Sequence, residues 1–204
     1  MLVDLHVPAG SDLSLEQVFV QARRSGLDGI CLAVRRDSPR TCWEELERLA
    51  APLRLFRGVE VDTDLGPLLW LPPDPEQVGL LAPPGLDPHR PLVAEQAIGA
   101  AVRCGGVVVA IQPLRRGDLR ERTLGLLRSL GANALEVWNA GSSDQENRLA
   151  HRAAHRLRFV GVGGSGGQEA LGFVATLIGE VVGSQRTLVQ ALRRGDAWAV
   201  ALRS

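Results

Sequence analysis

The chain opens with Met1-Leu2-Val3-Asp4-Leu5-His6-Val7-Pro8, an apolar run typical of a buried β-strand that ends near a histidine and a proline. Ser14-Leu15-Glu16-Gln17 has the spacing of a helix capping box, and Gly26 ends the helix that this box predicts. A second apolar run, 29–34, predicts the next strand. A strand, a helix and a second strand in this order are typical of a parallel sheet.

The same alternation continues to the end of the chain, with one interruption. Further strands are predicted at 53–61, 107–111, 134–138, 159–163, 173–178 and 197–202. The interruption is a Pro-rich excursion at about 62–91, in which 68–71 predicts a hairpin strand. A chain of 204 residues suits one domain with a sizeable core, so we expect a single domain over residues 1–204.

Polar side chains stand at or just past the carboxyl ends of the predicted strands. They are His6, Arg35, Glu60, Gln112, Glu136, Asn139 and Gln168. In a barrel these strand ends share one face, where active sites are built, whereas an open sheet gathers only some of them. The convergence favours an α/β fold of the distorted (β/α)7 TIM-like barrel type.

Composition limits the possible partners. Hydrophobic residues make up 45% of the chain and the formal net charge is zero, which gives no reason to expect nucleic-acid or membrane binding. The 23 basic residues are all arginine, and tyrosine is absent. The amino terminus has no signal-peptide pattern, and the three cysteines are scattered, so we expect a cytoplasmic protein with Cys31 as a buried apolar residue.

Five short motifs in the chain resemble those of the PHP (polymerase and histidinol phosphatase) family of metal-dependent phosphoesterases. They are Asp4-Leu5-His6-Val7-Pro8, Ala33-Val34-Arg35, Gly58-Val59-Glu60, Gln112-Pro113 and Gly164-Ser165-Gly166-Gly167-Gln168. The family's motifs are Asp-Leu-His-x-His, Thr-Asp-His, Gly-x-Glu, His-Pro and Gly-Ser-Asp-x-His. The resemblance implies a barrel fold, with Pro8, Arg35, Gln112, Gly166 and Gln168 in positions where the family has metal ligands.

The resemblance transfers metal-ligand positions to His6, Glu60 and, across a loop one residue shorter than usual, Asp12. Divalent ions need four to six donors each, so these residues cannot complete a site, and we expect no metal and no cofactor. We therefore expect a PHP-like pseudoenzyme that binds a protein partner, itself or a small anion. The alternative is a metal-dependent phosphoesterase with a reduced site of His6, Asp12, Glu60 and Glu136.

Two interpretations of the basic and glycine-rich loops remain open. The first is a metal-free anion site, in which Arg35, Arg36, Arg115 and Arg116 join the backbone amides of Gly164, Ser165 and Gly166. The second is that the arginines are solvated and the glycines fill space left by lost ligands. His151 and His155, four residues apart on a predicted helix, have the pattern of a solvated face.

Two contacts can also be predicted from the sequence. Arg35 is expected to pair with Glu60 or Glu136, because a partly buried carboxylate without a cation is costly. Trp70 lies beside Pro72-Pro73 in the Pro-rich excursion. It suits either a surface for a partner or second copy, or a place in the barrel's own core.

Overall fold

The computed structural model describes residues 1–10, 14–35, 43–77, 90–113 and 121–202. Nine strands form one sheet in the order β7-β6-β5-β4-β3-β2-β1-β8-β9. Their bounds are β1 Leu2–Pro8, β2 Gly29–Arg35, β3 Arg54–Thr63, β4 Gly66–Leu71, β5 Val107–Ala110, β6 Ala134–Asn139, β7 Val160–Gly164, β8 Val174–Ile178 and β9 Ala197–Ala201.

The direction of the strands explains why the barrel is distorted. β1, β2 and β3 pair in parallel, as do β5, β6 and β7, but β4 is antiparallel to both β3 and β5. β8 is antiparallel to both β1 and β9. Seven strands therefore share one direction, with β4 and β8 inserted against them. The sheet curls into a nearly closed barrel, which confirms the predicted TIM-like α/β class.

Helices follow most of the parallel strands. In the described residues they are α1 Leu15–Arg24, α2 Trp43–Ala50, α3 Ala94–Arg103, α4 Glu121–Leu130, α5 Asp144–Leu157 and α6 Gln185–Arg194. Ser14 and Ser143 form the side-chain caps of α1 and α5, and Ser184 caps α6 in the same way. None of the helices in these ranges is both long and apolar enough to cross a membrane.

The core has an inner part and an outer part. Inside the barrel, Leu5, Cys31, Leu69 and Val109 pack with one face of α6, which contributes Leu188 and Leu192. The outer faces of the strands are covered by α1 and α2 on one side and by α3, α4 and α5 on the other. Because α6 fills the interior with apolar side chains, the polar strand-end residues stand above a packed core.

The barrel is held together at the seam between β7 and its neighbours by hydrogen bonds outside the strand ladders. The Thr176 hydroxyl on β8 accepts from the Gly163 amide at 2.9 Å and donates to the Gly163 carbonyl at 2.8 Å. The Gly166 amide donates to the carbonyl of His6 on β1 at 2.9 Å. A Cβ on Gly163 would lie 2.6 Å from the Ala175 carbonyl oxygen, so only glycine fits here.

The Pro-rich excursion begins with the predicted hairpin. β3 and β4 pair antiparallel from Val59 to Thr63, with Trp70 opposite Val59. Trp70 is 1% exposed and belongs to the outer core beside α3 and α4. Of the two interpretations of Trp70, the place in the barrel's own core is confirmed and the partner surface is not, because the hairpin forms part of the barrel wall and the indole is buried there.

Gly163→Ala tests the seam. The added methyl group must displace the backbone of β8, and we expect the free energy of unfolding to fall by about 2–3 kcal/mol in urea denaturation. Gly125→Ala is the control, because a Cβ at this position in α4 meets nothing within 4 Å. Alanine there should stabilise the protein by up to about 1 kcal/mol. Equal effects of the two changes would contradict the close approach of β7 and β8.

Candidate functional site

The carboxyl ends of β1, β3 and β6 bring three ionisable side chains together. His6 is 2% exposed and lies between two carboxylates: its Nδ1 is 2.9 Å from Glu136 Oε1 and its Nε2 is 3.6 Å from Glu60 Oε2. The first distance is a hydrogen bond, whereas the second is too long for one and is an electrostatic contact. His6 therefore links β6 to β3 across the barrel mouth.

These two carboxylates keep the His6 ring protonated. Burial alone would lower its pKa, but the charge and hydrogen bond of Glu136, with a smaller contribution from Glu60, raise the pKa from 6.5 to about 10. An imidazolium carries a proton on each ring nitrogen. Nδ1 donates to Glu136, whereas Nε2 has no hydrogen-bond partner in the described residues and faces Glu60 only electrostatically. The strand-end pocket thus contains its own cation.

Asp4 is a second buried acid beside His6, and it was not among the site residues predicted from the sequence. Its Oδ1 accepts hydrogen bonds from the amides of Ser165 at 3.0 Å and His6 at 3.1 Å. Its Oδ2 has no hydrogen-bond partner in the described residues. Burial raises the pKa of Asp4 from 3.8 to about 6, although the two amides oppose the rise. An aspartate inside an apolar strand was the available sequence signal.

Glu136 is fixed from both sides. While Oε1 faces His6, Oε2 accepts from the Gln112 amide at 2.8 Å. Gln112 adopts the left-handed region, with φ of 45°, and this conformation aims its amide at the carboxylate. The prediction placed the Gln112 side chain in the pocket, but its contact with Glu136 runs through the backbone.

The glycine-rich loop at 164–167 uses backbone amides for hydrogen bonds to Asp4 and His6 and does not offer these amides to an anion. The Ser165 amide is used by Asp4 and the Gly166 amide by the His6 carbonyl. The Ser165 hydroxyl also donates to the His6 carbonyl, at 3.3 Å. A Cβ on Gly164 would lie 2.7 Å from the Cβ of His6. Of the three expected amide donors, those of Ser165 and Gly166 are therefore engaged within the protein.

Asn139 and Gln168 line the same end of the barrel without contacting His6. The Asn139 side chain accepts from the Gly141 amide, and the Gln168 amide donates to the Pro8 carbonyl at 3.4 Å. Both are buried, and each keeps one side-chain atom, Asn139 Nδ2 and Gln168 Oε1, without a partner in the described residues.

Arg35 stands at the rim of the pocket. Its guanidinium is 3.5 Å from Asp62 and 4.0 Å from Glu60, and the side chain is 51% exposed. The predicted pairing with Glu60 is present at the outer limit of an ion pair. The predicted alternative, a pair with Glu136, is not formed in the described residues, since the buried cation beside Glu136 is His6. Asp12, Arg36, Arg115 and Arg116, also predicted at this face, lie outside the described residues.

Comparisons with known proteins agree with this architecture. No protein-family model matches the chain, and no curated protein matches it in sequence. Among solved structures, PsfC from Pseudomonas syringae PB-5123 superposes with a TM-score of 0.72 at 17% identity, over 98% of this chain and 91% of that one.

Two further solved structures carry names that mention a hydrolase. An amidohydrolase from Chromobacterium violaceum, solved with bound sulfate and no metal, gives a TM-score of 0.67 at 16% identity, over 99% of this chain and 98% of that one. A protein provisionally named a metal-dependent phosphoesterase, from Bifidobacterium adolescentis, gives 0.63 at 18% identity, over 81% and 87%. At such identities these likenesses establish the TIM-like barrel fold and nothing finer.

The described residues at the strand ends do not form a ready set of ligands for a divalent metal ion. The described ranges contain no group of three or more His, Cys, Asp or Glu side chains arranged to hold one. A histidine ligand must offer a bare nitrogen lone pair, but Nδ1 of His6 is hydrogen-bonded to Glu136. Nε2 has no hydrogen-bond partner in the described residues, and with a pKa raised to about 10 it carries a proton near neutral pH. The nearby Arg35 guanidinium would also repel a cation at Glu60.

The raised pKa of His6 predicts a loss of stability at alkaline pH. Its contribution is complete below the unfolded value of 6.5 and disappears as the pH rises to the folded value of about 10. The chain has no lysine or tyrosine to obscure this window, although burial also raises the pKa of Cys31, which adds a decline above about pH 9. Urea denaturation should show the free energy of unfolding falling from about pH 7 to 9.

Glu136→Gln is the matched control for this decline. It keeps the shape of the side chain and removes the charge that raises the His6 pKa, so the fall between about pH 7 and 9 should become clearly shallower. The same slope in both proteins would mean that Glu136 does not raise the pKa of His6.

Arg35→Ala should have little effect on stability. The side chain is half-exposed and its contacts are solvent-screened, so we expect the free energy of unfolding to fall by less than about 1 kcal/mol. Glu136→Ala, which leaves His6 without its buried partner, should cost about 3 kcal/mol by the same denaturation measurement. A larger loss for Arg35→Ala than for Glu136→Ala would reverse the assignment of the buried cation.

Proposed function

We propose that this chain is a cytoplasmic PHP-like pseudoenzyme, which acts by binding a protein partner or a small anion and not by hydrolysis. The observation that carries the proposal is the position of His6, whose two ring nitrogens face Glu136 and Glu60 at 2.9 Å and 3.6 Å. In the family that the sequence resembles, hydrolysis depends on metals that activate water and neutralise phosphate charge. Here an internal cation satisfies the two carboxylates instead.

The charge of the described pocket argues against a phosphate ester bound at the strand ends. Glu60, Glu136 and Asp62 face His6 and Arg35, so the acids outnumber the cations even when His6 is protonated. The amides of Ser165 and Gly166 are already used inside the protein. An anionic substrate would therefore meet neither a metal nor a set of free donors in this part of the site.

The proposal predicts that the protein contains no bound metal and has no phosphoesterase activity. Purified protein should contain no stoichiometric Mn, Zn or Fe by elemental analysis, and an aryl phosphate should not be hydrolysed above background with these metals or Mg. Chelator treatment should leave the urea unfolding curve unchanged, because no metal holds the fold together. Hydrolysis that disappears in Glu60→Ala or His6→Ala would contradict the proposal and favour the reduced metal-dependent phosphoesterase.

A variant that restores the family's ligand positions gives this experiment a positive control. Pro8→His, Arg35→His, Gln112→His and Gln168→His, made together, return histidine to four positions identified by the resemblance. Metal bound by the quadruple variant but not by the natural sequence would show that the scaffold can present ligands and that side-chain loss alone removed the metal. Equal metal binding by both proteins would contradict the pseudoenzyme proposal.

A further inference from the structure

A second cavity lies outside the barrel, between β6 and α5. It is an open depression of about 490 Å³, lined by Trp138, Asp144, Asn147, Arg148, His151 and Arg152, of which the four charged or imidazole side chains are exposed. The strand-end residues His6, Glu60 and Glu136 are not part of this lining. The cavity is therefore separate from the site described above.

An irregularity in β6 places the tryptophan in this cavity. The pairing with β7 shifts between Glu136 and Trp138, which leaves Val137 as an extra residue in the strand. Glu136 can thus contact His6 inside the barrel while Trp138 lines the outer cavity with α5. Trp138 is half-buried, and so it presents part of its indole to a ligand.

The walls of the cavity are fixed in advance by Asn147. Its side-chain oxygen accepts from the Asn139 amide at 3.0 Å, and its side-chain nitrogen donates to the Asn139 carbonyl at 3.2 Å. These two bonds fasten the first turns of α5 to the end of β6, next to Trp138. The backbone of both walls is therefore in place before a ligand binds, and only the exposed side chains of Arg148 and Arg152 would have to be ordered.

The cavity carries an excess of positive charge. Arg148 and Arg152 lie one helical turn apart on α5 with His151 between them, and Asp144 is the single acid in the lining. Neither arginine forms an ion pair within the described part of the chain. Arg57 differs in this respect, because Glu47 and Glu76 hold its guanidinium at 2.9 Å and 2.8 Å.

We propose that this cavity binds a nucleoside monophosphate. The flat indole of Trp138 suits a stacked base, and the two guanidinium groups suit the phosphate, which arginine recognises by paired hydrogen bonds. The zero net charge of the chain argues against a polynucleotide, and the lining holds one aromatic face and two guanidinium groups, which matches one base and one phosphate. This inference rests on the part of the proposed function in which the chain binds a small anion. It places that anion in the outer cavity and not at the strand ends.

The test is calorimetric titration of adenosine 5′-monophosphate (AMP) into the full chain. We expect saturable binding with a dissociation constant at or below about 1 mM. The double variant Arg148→Gln/Arg152→Gln should bind at least about tenfold more weakly, and Trp138→Leu should weaken binding to a similar degree. Trp138→Phe keeps an aromatic face and should stay within about threefold of the natural protein.

Controls separate the cavity from general basicity. Arg24→Gln removes an exposed arginine from α1 and should leave the affinity unchanged. Adenosine and inorganic phosphate, each supplying one half of the ligand, should both bind much more weakly than AMP. Absence of saturable AMP binding, equal binding of phosphate alone, or an affinity insensitive to the Trp138 and arginine variants would each overturn the proposal.

The proposed function can fail separately from this inference. AMP recovered after the titration should be intact. Hydrolysis of AMP would contradict the pseudoenzyme proposal, whereas the affinities of the cavity variants decide whether the cavity is the binding site.

Discussion

The contact on which the barrel mouth depends is the buried hydrogen bond between His6 and Glu136. Both side chains are almost fully buried, and a buried carboxylate without a cation is costly. The histidine meets that need and extends towards Glu60 on the opposite strand. Nδ1 is used by this bond, whereas Nε2 has no hydrogen-bond partner in the described residues and faces Glu60 at 3.6 Å. Because the two carboxylates raise the pKa of His6 to about 10, the ring is protonated near neutral pH and offers a metal no lone pair.

The surrounding backbone is arranged to admit this contact. Gly164 lets β7 approach the His6 side chain, Gly166 binds the His6 carbonyl, and Gln112 adopts a left-handed conformation that aims its amide at Glu136. The extra residue in β6, Val137, lets Glu136 face the interior while Trp138 lines the outer cavity beside α5. One short region thus determines both the closed interior site and the open outer cavity.

The fold was predictable because it rests on local signals. Apolar runs, and the caps at Ser14 and Ser143, are patterns between residues close together in the sequence. The antiparallel direction of β8 and the burial of Trp70 depend instead on pairing between distant segments. The meeting of His6, Glu60 and Glu136 followed from strand ends sharing one face. The identity of the buried cation could not be predicted in this way. It depends on distances in the folded protein, which favour His6 over Arg35.

The most direct test of the account is the protonation state of the His6 ring, measured by ¹⁵N NMR at about pH 8 with and without added zinc. The account predicts an imidazolium, with protons on both Nδ1 and Nε2, and spectra that zinc does not change. A neutral ring with one bare nitrogen, whose chemical shift moves when zinc is added, would contradict it and mark His6 as a metal ligand.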